Sequence, residues 1–234
     1  MAGFDWILYR AFDILKRKTR GDFNLSYSQC GEDLIARFVF DTLRIPSPTY
    51  LDIGAHHPTY LNNTFIFYKQ GGRGVNVEPD PELIARFHRQ RSRDINLNVG
   101  IGAQEGEMPF YVMSVPTLNT FSESDARAIE KEGKVRIERV VTLPVRSVNA
   151  VLREHFPAAP DFFSLDVEGL DLAILRSVDF GSFRPKVICV ETITYSEHRI
   201  GRKIPEIEAV LLGNDYFVYA DTHINTVFVD RQIW

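Results

Sequence analysis

Five short apolar runs in this chain each stop at a polar residue. Tyr50-Leu51 meets Asp52, Val75-Asn76-Val77 meets Glu78, the run from Ile95 meets Asn98, Phe162 to Leu165 meets Asp166, and Val187 to Val190 meets Glu191. Between these runs lie stretches with helical spacing. Strands that alternate with helices form βαβ units and a mostly parallel sheet. Right-handed crossovers place the carboxyl ends of such strands on one edge, and ligands bind in the crevice outside that edge, at a topological switch point. The five polar termini therefore constrain both the fold and the place of a site.

The pattern predicts a helix over 32–44, where Leu34, Ile35, Phe38, Val39 and Leu43 recur at three-to-four spacing; Ile45-Pro46-Ser47-Pro48 ends it. A first strand follows at 49–53, a helix from Asn62 to Lys69 stopped by Gly71-Gly72, and a second strand from Gly74 to Val77. Pro79-Asp80-Pro81 opens a helix to about Arg91, on which Arg86, Arg89, Arg91 and nearby Arg93 read as a solvated basic face. Ile95 to Ile101 is expected as a third strand, Glu107–Val112 and Val140–Pro144 as short strands, and Asp125–Gly133 as a charged helix or loop. Helices are expected at Val148–Phe156, Leu170–Val178 and Pro205–Leu212, strands at Phe162–Val167 and Val187–Glu191, and a closing antiparallel hairpin from Tyr216–Ala220 and Thr226–Val229.

A chain of 234 residues, 44% hydrophobic and 25% charged, suits one soluble α/β domain. The net charge of -4 argues against nucleic acid as a partner. Cys30 and Cys189 form no disulfide framework or metal spacing, which points to a reducing, cytoplasmic setting, and no apolar run is long enough to span a membrane. Residues 1–25 read as an amphipathic helical extension preceding the domain at 26–234. Trp6, Ile7, Leu8, Phe12, Ile14 and Leu15 interleave with basic residues, and residues 1–20 carry a net +3. Such a helix docks on its own domain or a second copy as a candidate homodimer element, or lies on an anionic membrane.

The loop Asp52-Ile53-Gly54-Ala55-His56-His57-Pro58 selects the kind of ligand. Gly54 permits a tight turn and close approach, and Glu78, 24 residues further on, is placed to accept from two ribose hydroxyls. A dinucleotide needs a Gly-x-Gly-x-x-Gly loop so that its pyrophosphate can reach the backbone; here one glycine is followed by two histidines and a proline. S-adenosylmethionine has no phosphate and tolerates this loop, so it is favoured over NAD.

The chain resembles the FkbM-type S-adenosylmethionine-dependent methyltransferases. The likeness lies in Tyr27-Ser28-Gln29-Cys30-Gly31-Glu32-Asp33, Leu51 to Pro58, Asn62-Asn63-Thr64, Val77-Glu78-Pro79, Asn119-Thr120-Phe121, Leu165-Asp166-Val167-Glu168-Gly169, Val190-Glu191 and Asn225 to Val229, over about residues 26–230. It implies a class I methyltransferase (Rossmann-like) fold with a mostly parallel seven-stranded sheet, helices on both faces and methyl transfer to oxygen, often of a sugar or polyketide hydroxyl. By the same resemblance Asp52 and Gly54 approach the methionine end of the cofactor, Glu78 holds the ribose, and Pro79, Asp80 and Asn98 border the adenine. The Tyr27–Asp33 segment folds over the cofactor with Gln29 and Glu32 as polar contacts.

Methyl transfer to a hydroxyl needs alignment, worth up to roughly 7–11 kcal/mol, and a base worth ~10²–10⁴ in rate. The candidate bases are His57, Asp166, Glu168, Glu191, His198 and His223, with His57, Asp166 and Glu191 the preferred catalytic set; His56 and His57 have the alternative role of shaping their loop. If the strand persists past Leu165, period two brings Asp166 and Glu168 to one side, Asp166 also touching the cofactor. With Glu191 they would form a divalent-metal site. Thr117 to Ser122 reads as part of the acceptor pocket. These residues predict an S-adenosylmethionine-dependent O-methyltransferase for a sugar, glycan or related small metabolite. The competing reading is a non-catalytic module of the same fold that recruits a partner or membrane through its basic N-terminus.

Overall fold

The computed structural model describes residues 24–167, 169–194 and 201–234. The expectations for the N-terminal helix, including its role in a homodimer, and for Glu168 and His198 fall outside these residues.

The chain order is α1 (Glu32–Thr42), β1 (Tyr50–Ile53), α2 (Phe65–Lys69), β2 (Gly74–Val77), α3 (Pro81–Gln90), β3 (Ile95–Leu97), β4 (Gly100–Gly102), β5 (Gly106–Met113), α4 (Glu123–Lys131), β6 (Ile137–Ser147), α5 (Val148–His155), β7 (Phe162–Leu165), α6 (Asp171–Ser177), β8 (Val187–Glu191), α7 (Pro205–Gly213), β9 (Tyr216–Asp221) and β10 (Asn225–Asp230). Seven strands form one sheet in the order β3-β2-β1-β7-β8-β10-β9. Strands β3, β2, β1, β7 and β8 pair in parallel, and β10 runs antiparallel to both β8 and β9. This is the expected Rossmann-like sheet with its closing hairpin. The order reverses between β1 and β7, which puts the switch point at the ends carrying Gly54 and Asp166.

Period-two alternation sorts the strand side chains onto two faces. Leu51, Ile53, Phe163, Leu165, Ile188 and Val190 pack with Val148, Val151 and Leu152 of α5, Ile174 and Leu175 of α6, and Ile207 and Leu211 of α7. Tyr50, Phe162, Val187, Cys189, Val227 and Val229 pack on the other face with Ala36, Val39 and Phe40 of α1 and with Ile66 and Phe67 of α2. Helices thus cover both faces.

Three local expectations change. The run from Ile95 to Ile101 is not one strand: it breaks at Asn98-Val99, and β4 joins a separate sheet of order β4-β6-β5. The break arises where the Asn98 amide donates to the carbonyls of Glu78 and Pro79 at 3.0 and 2.8 Å, turning the chain away from β2. The two short strands expected at 107–112 and 140–144 are β5 and β6, longer than predicted and paired with each other. Strand β7 ends at Leu165, two residues short of the expected Val167.

Candidate active site

A cleft opens at the carboxyl edge over the switch point. Its wall includes Gln29, Gly54, His56, Leu61, Asn63, Val77, Glu78, Pro79, Val99, Phe110, Asn119, Phe121, Asp166 and Asn225. It has two chemically different kinds of surface. Val77 and Pro79 from the β2 side, with Val99, Ile101, Phe110 and Phe121, supply apolar surface, whereas Gln29, Asn63, Asp166 and Asn225 supply polar groups from the segment before α1, the β1 loop, the end of β7 and the start of β10.

Glu78 follows β2 and is 5% exposed. Its Oε2 accepts from the His56 N–H at 2.9 Å and its Oε1 from the Asp80 N–H at 2.9 Å, so the carboxyl group is pinned between two loops. Burial pushes its pKa up to about 8 against the lowering effect of those two N–H groups, and Asp80 and Asp52 push it further. Each oxygen retains a lone pair for a further donor. Gly54 adopts φ +76, and a Cβ there would overlap the backbone carbonyl of Asp166. The glycine therefore serves the crossing of two backbones at the switch point as well as access to the cleft.

Asp52 lies deeper. It is 3% exposed, its Oδ2 accepts from Thr64 Oγ1 at 2.7 Å and Asn62 Nδ2 at 3.0 Å, and burial raises its pKa. It supports the Ala55–Asn62 loop from behind; the cleft wall does not include it. Asp80 caps α3, accepting from the Glu82 and Leu83 N–H groups, and its Oδ2 accepts from Asn119 Nδ2 at 3.4 Å. That bond ties the loop before α4 to the β2 loop. Asn98 holds Glu78 and Pro79 by their carbonyls and is itself exposed. Asp52, Asp80 and Asn98 are therefore placed as supports, with Gly54, Glu78 and Pro79 in the wall.

The 26–33 segment is knotted by two buried carboxylates. Asp33 accepts from Ser26, Ser28 and the Tyr27 N–H, and the Tyr27 carbonyl accepts from the Asn62 N–H at 2.9 Å. Glu32 is fully buried; its Oε2 accepts from the Cys30 N–H and its Oε1 from Thr222 Oγ1 and Asn225 Nδ2. Burial raises its pKa, but these bonds outweigh it and hold the carboxylate below the ordinary range. Gln29 consequently lines the cleft, whereas Glu32 ties this segment to β10 and is not in the wall.

Of the two adjacent histidines, His56 is the one in the wall, whereas His57 is the base preferred from the sequence. His56, at φ +51, lines the cleft. His57 lies outside the wall, with Nδ1 accepting from the Thr59 N–H at 3.3 Å, which fits loop shaping. Burial lowers both pKa values, which favours the neutral imidazole in each. Asp166 lines the cleft, and its pKa is raised by burial and by Asp171, Asp52 and Glu32. Asp171 accepts the Val167 N–H at 3.1 Å and holds this loop. Glu191 ends β8 opposite Asn225 and is not in the wall. His223 sits exposed in the β9–β10 turn. Among the described residues no group of three or more His, Cys, Asp or Glu side chains converges to hold a metal ion. Asp166 and Glu191 therefore do not form the expected metal centre with described neighbours.

Sequence reasoning did not assign Leu61, Asn63, Phe110 or Asn225 to the wall. Asn63 donates to Ser164 Oγ at 3.2 Å across 101 positions, and Asn225 to Glu32 across 193. Neither contact leaves a local pattern.

A family model for the methyltransferase FkbM domain matches residues 52–218. Among curated proteins, none matches the chain at a significant level. Similar solved structures include the methyltransferase FkbM of Methylobacillus flagellatus, with 16% identity, TM-score 0.42, and coverage of 79% of this chain and 44% of that one. The chain thus spans less than half of that protein. A TehB-like SAM-dependent methyltransferase from Corynebacterium glutamicum has 10% identity, TM-score 0.44 and coverage of 95% and 97%. An O-methyltransferase from Bacillus cereus in complex with SAH has 11% identity, TM-score 0.41 and coverage of 94% and 88%. At these identities and scores they assign no substrate or mechanism to this chain.

Proposed function

The chain belongs to the FkbM methyltransferase family, and on that premise we propose that it transfers a methyl group from S-adenosylmethionine to a hydroxyl of a sugar, glycan or related small metabolite. The observation that carries the cofactor reading is Glu78, a buried carboxyl pinned by the His56 and Asp80 N–H groups at the wall of a cleft over the switch point. Its free lone pairs suit a ribose diol. The apolar surface of Phe121 and Pro79 suits a purine, and the polar groups of Gln29, Asn63 and Asp166 suit an amino-acid group. When bound there, the cofactor supplies an electrophilic methyl group.

This chain's own residues hold and orient. Glu78 and Gly54 fix the nucleoside and its loop, and the Asn119–Asp80 bond holds the α4 side of the cleft against the β2 loop. Alignment of acceptor oxygen and methyl group is the larger contribution to rate. Asp166, with its raised pKa, is suited to take the hydroxyl proton, and His56, whose neutral form burial favours, is the second candidate base in the wall. No Lys or Arg among the described residues lines the cleft, which suits a neutral acceptor better than a phosphorylated one. Incubation with methyl-labelled S-adenosylmethionine and a panel of sugars and small hydroxylated metabolites tests the proposal. Label in an alkali-stable ether supports it; label only in amines or alkali-labile esters contradicts oxygen-ether formation.

A further inference from the structure

Asn225 opens β10, is 3% exposed and forms part of the cleft wall. Its Nδ2 donates to Glu32 Oε1 at 3.2 Å. An ionised carboxylate only accepts, so this bond fixes which end of the carboxamide points where. The Oδ1 is left buried without a hydrogen-bond partner among the described residues. Buried acceptors are rarely left unpaired, and the cleft is where a partner can come from.

The surroundings specify the partner's chemistry. Asp166 shares the wall and feels the charges of Asp52 and Glu32, the latter standing directly behind Asn225. This corner offers acceptors and negative charge, with no Lys or Arg among the described residues of the wall. It therefore fits a group that is cationic and rich in N–H donors. Of the two cationic groups of S-adenosylmethionine, the sulfonium has no N–H, whereas the ammonium has three. The strand order puts Asn225 on the far side of the switch point from Glu78, and both line the same cleft. A nucleoside held at Glu78 leaves its amino-acid end to the polar residues on that side of the cleft.

We propose that Asn225 is a cofactor-binding residue whose Oδ1 accepts a hydrogen bond from the α-ammonium of S-adenosylmethionine. This rests on the cofactor reading above and adds a contact from the closing hairpin to it. A thermodynamic cycle isolates the contact: calorimetric affinities of wild type and Asn225→Ala for S-adenosylhomocysteine and for its analogue lacking the amino group. The expected result is that Asn225→Ala binds S-adenosylhomocysteine ~10-fold or more weakly while binding the des-amino analogue as wild type does. If Asn225→Ala does not fold, Asn225→Ser, which keeps a donor toward Glu32 but shortens the reach into the cleft, carries the same cycle. Equal weakening of both ligands, or of neither, overturns the inference; the latter result would give Asn225 to the methyl acceptor or to the scaffold. Wild type that binds neither ligand would instead overturn the cofactor reading itself.

Discussion

Replacing Arg91 by methionine probes the support beneath the candidate site. Arg91 follows α3 and is fully buried, although its neighbours in sequence suggest a solvated basic face. Its Nε donates to Asp94 at 2.9 Å, Nη1 to the Pro58 carbonyl at 3.1 Å and to Asn62 at 3.3 Å, and Nη2 to Thr64 at 3.1 Å. The guanidinium also lies 4.7 Å from the Tyr68 ring centroid. Asn62 and Thr64 are the residues that hold Asp52, and Pro58 closes the His56-His57 loop. Methionine fills much of the volume but leaves the buried Asp94 carboxylate without its cation and the Pro58 carbonyl without this donor. Breaking a buried pair from one side costs about 3–5 kcal/mol. Asp94 keeps Tyr50, Gly74 and Asn76 as donors, so the expected loss is near the lower end, ~3 kcal/mol. For a domain of this size that is a Tm drop of roughly 6–12 °C. Equilibrium urea unfolding measures it. Arg91→Lys should rescue little, because an ammonium cannot reproduce the fork, whereas adding Asp94→Asn should recover part of the loss. A cost below about 1 kcal/mol for Arg91→Met, unchanged by Asp94→Asn, would refute the argument that the pair anchors the loop.

Two further outcomes follow from the site. Gly54→Ala forces a Cβ onto the Asp166 carbonyl at a positive φ, so it should cost about 2–4 kcal/mol of stability and abolish cofactor binding, read by thermal unfolding and calorimetry; wild-type values for both would refute the tight crossing. If Asp166 is the base, it works only when deprotonated, and its raised pKa means that turnover climbs with pH through the neutral range and levels off above it. Asp166→Asn should lower kcat by ~10²-fold or more and remove that limb, and a pH–rate profile that keeps the limb would refute Asp166 as the base.

Much of the frame was legible because it rests on local chemistry. The apolar runs around Leu51, Val75, Phe163 and Ile188 are the central strands, and the strand-end positions of Glu78 and Asp166 follow from period and polarity alone. What was not legible depends on partners far away in the chain. Arg91 looks like its exposed neighbours until Pro58, Asn62 and Thr64 fold around it. Asn98 ends a strand prematurely because two carbonyls from the β2 loop compete for its amide. His56 and His57 are adjacent and chemically identical, and only the left-handed turn at His56 decides which one faces the cleft. Asn225 enters the wall through Glu32, almost the whole described chain away.

The central claim is that the cleft over the β1–β7 switch point binds S-adenosylmethionine through Glu78. Calorimetry with S-adenosylhomocysteine on wild type and Glu78→Ala tests it most directly. Two hydroxyl bonds to one carboxylate are worth about 3 kcal/mol or more, so the variant should bind at least ~100-fold more weakly. Because the free protein holds Glu78 largely protonated, with a pKa of about 8, and ribose donors favour the carboxylate, wild-type binding at pH 7 should release a proton, seen as a dependence of binding heat on buffer ionisation enthalpy. Failure of wild type to bind, or equal affinity in Glu78→Ala, would contradict the account.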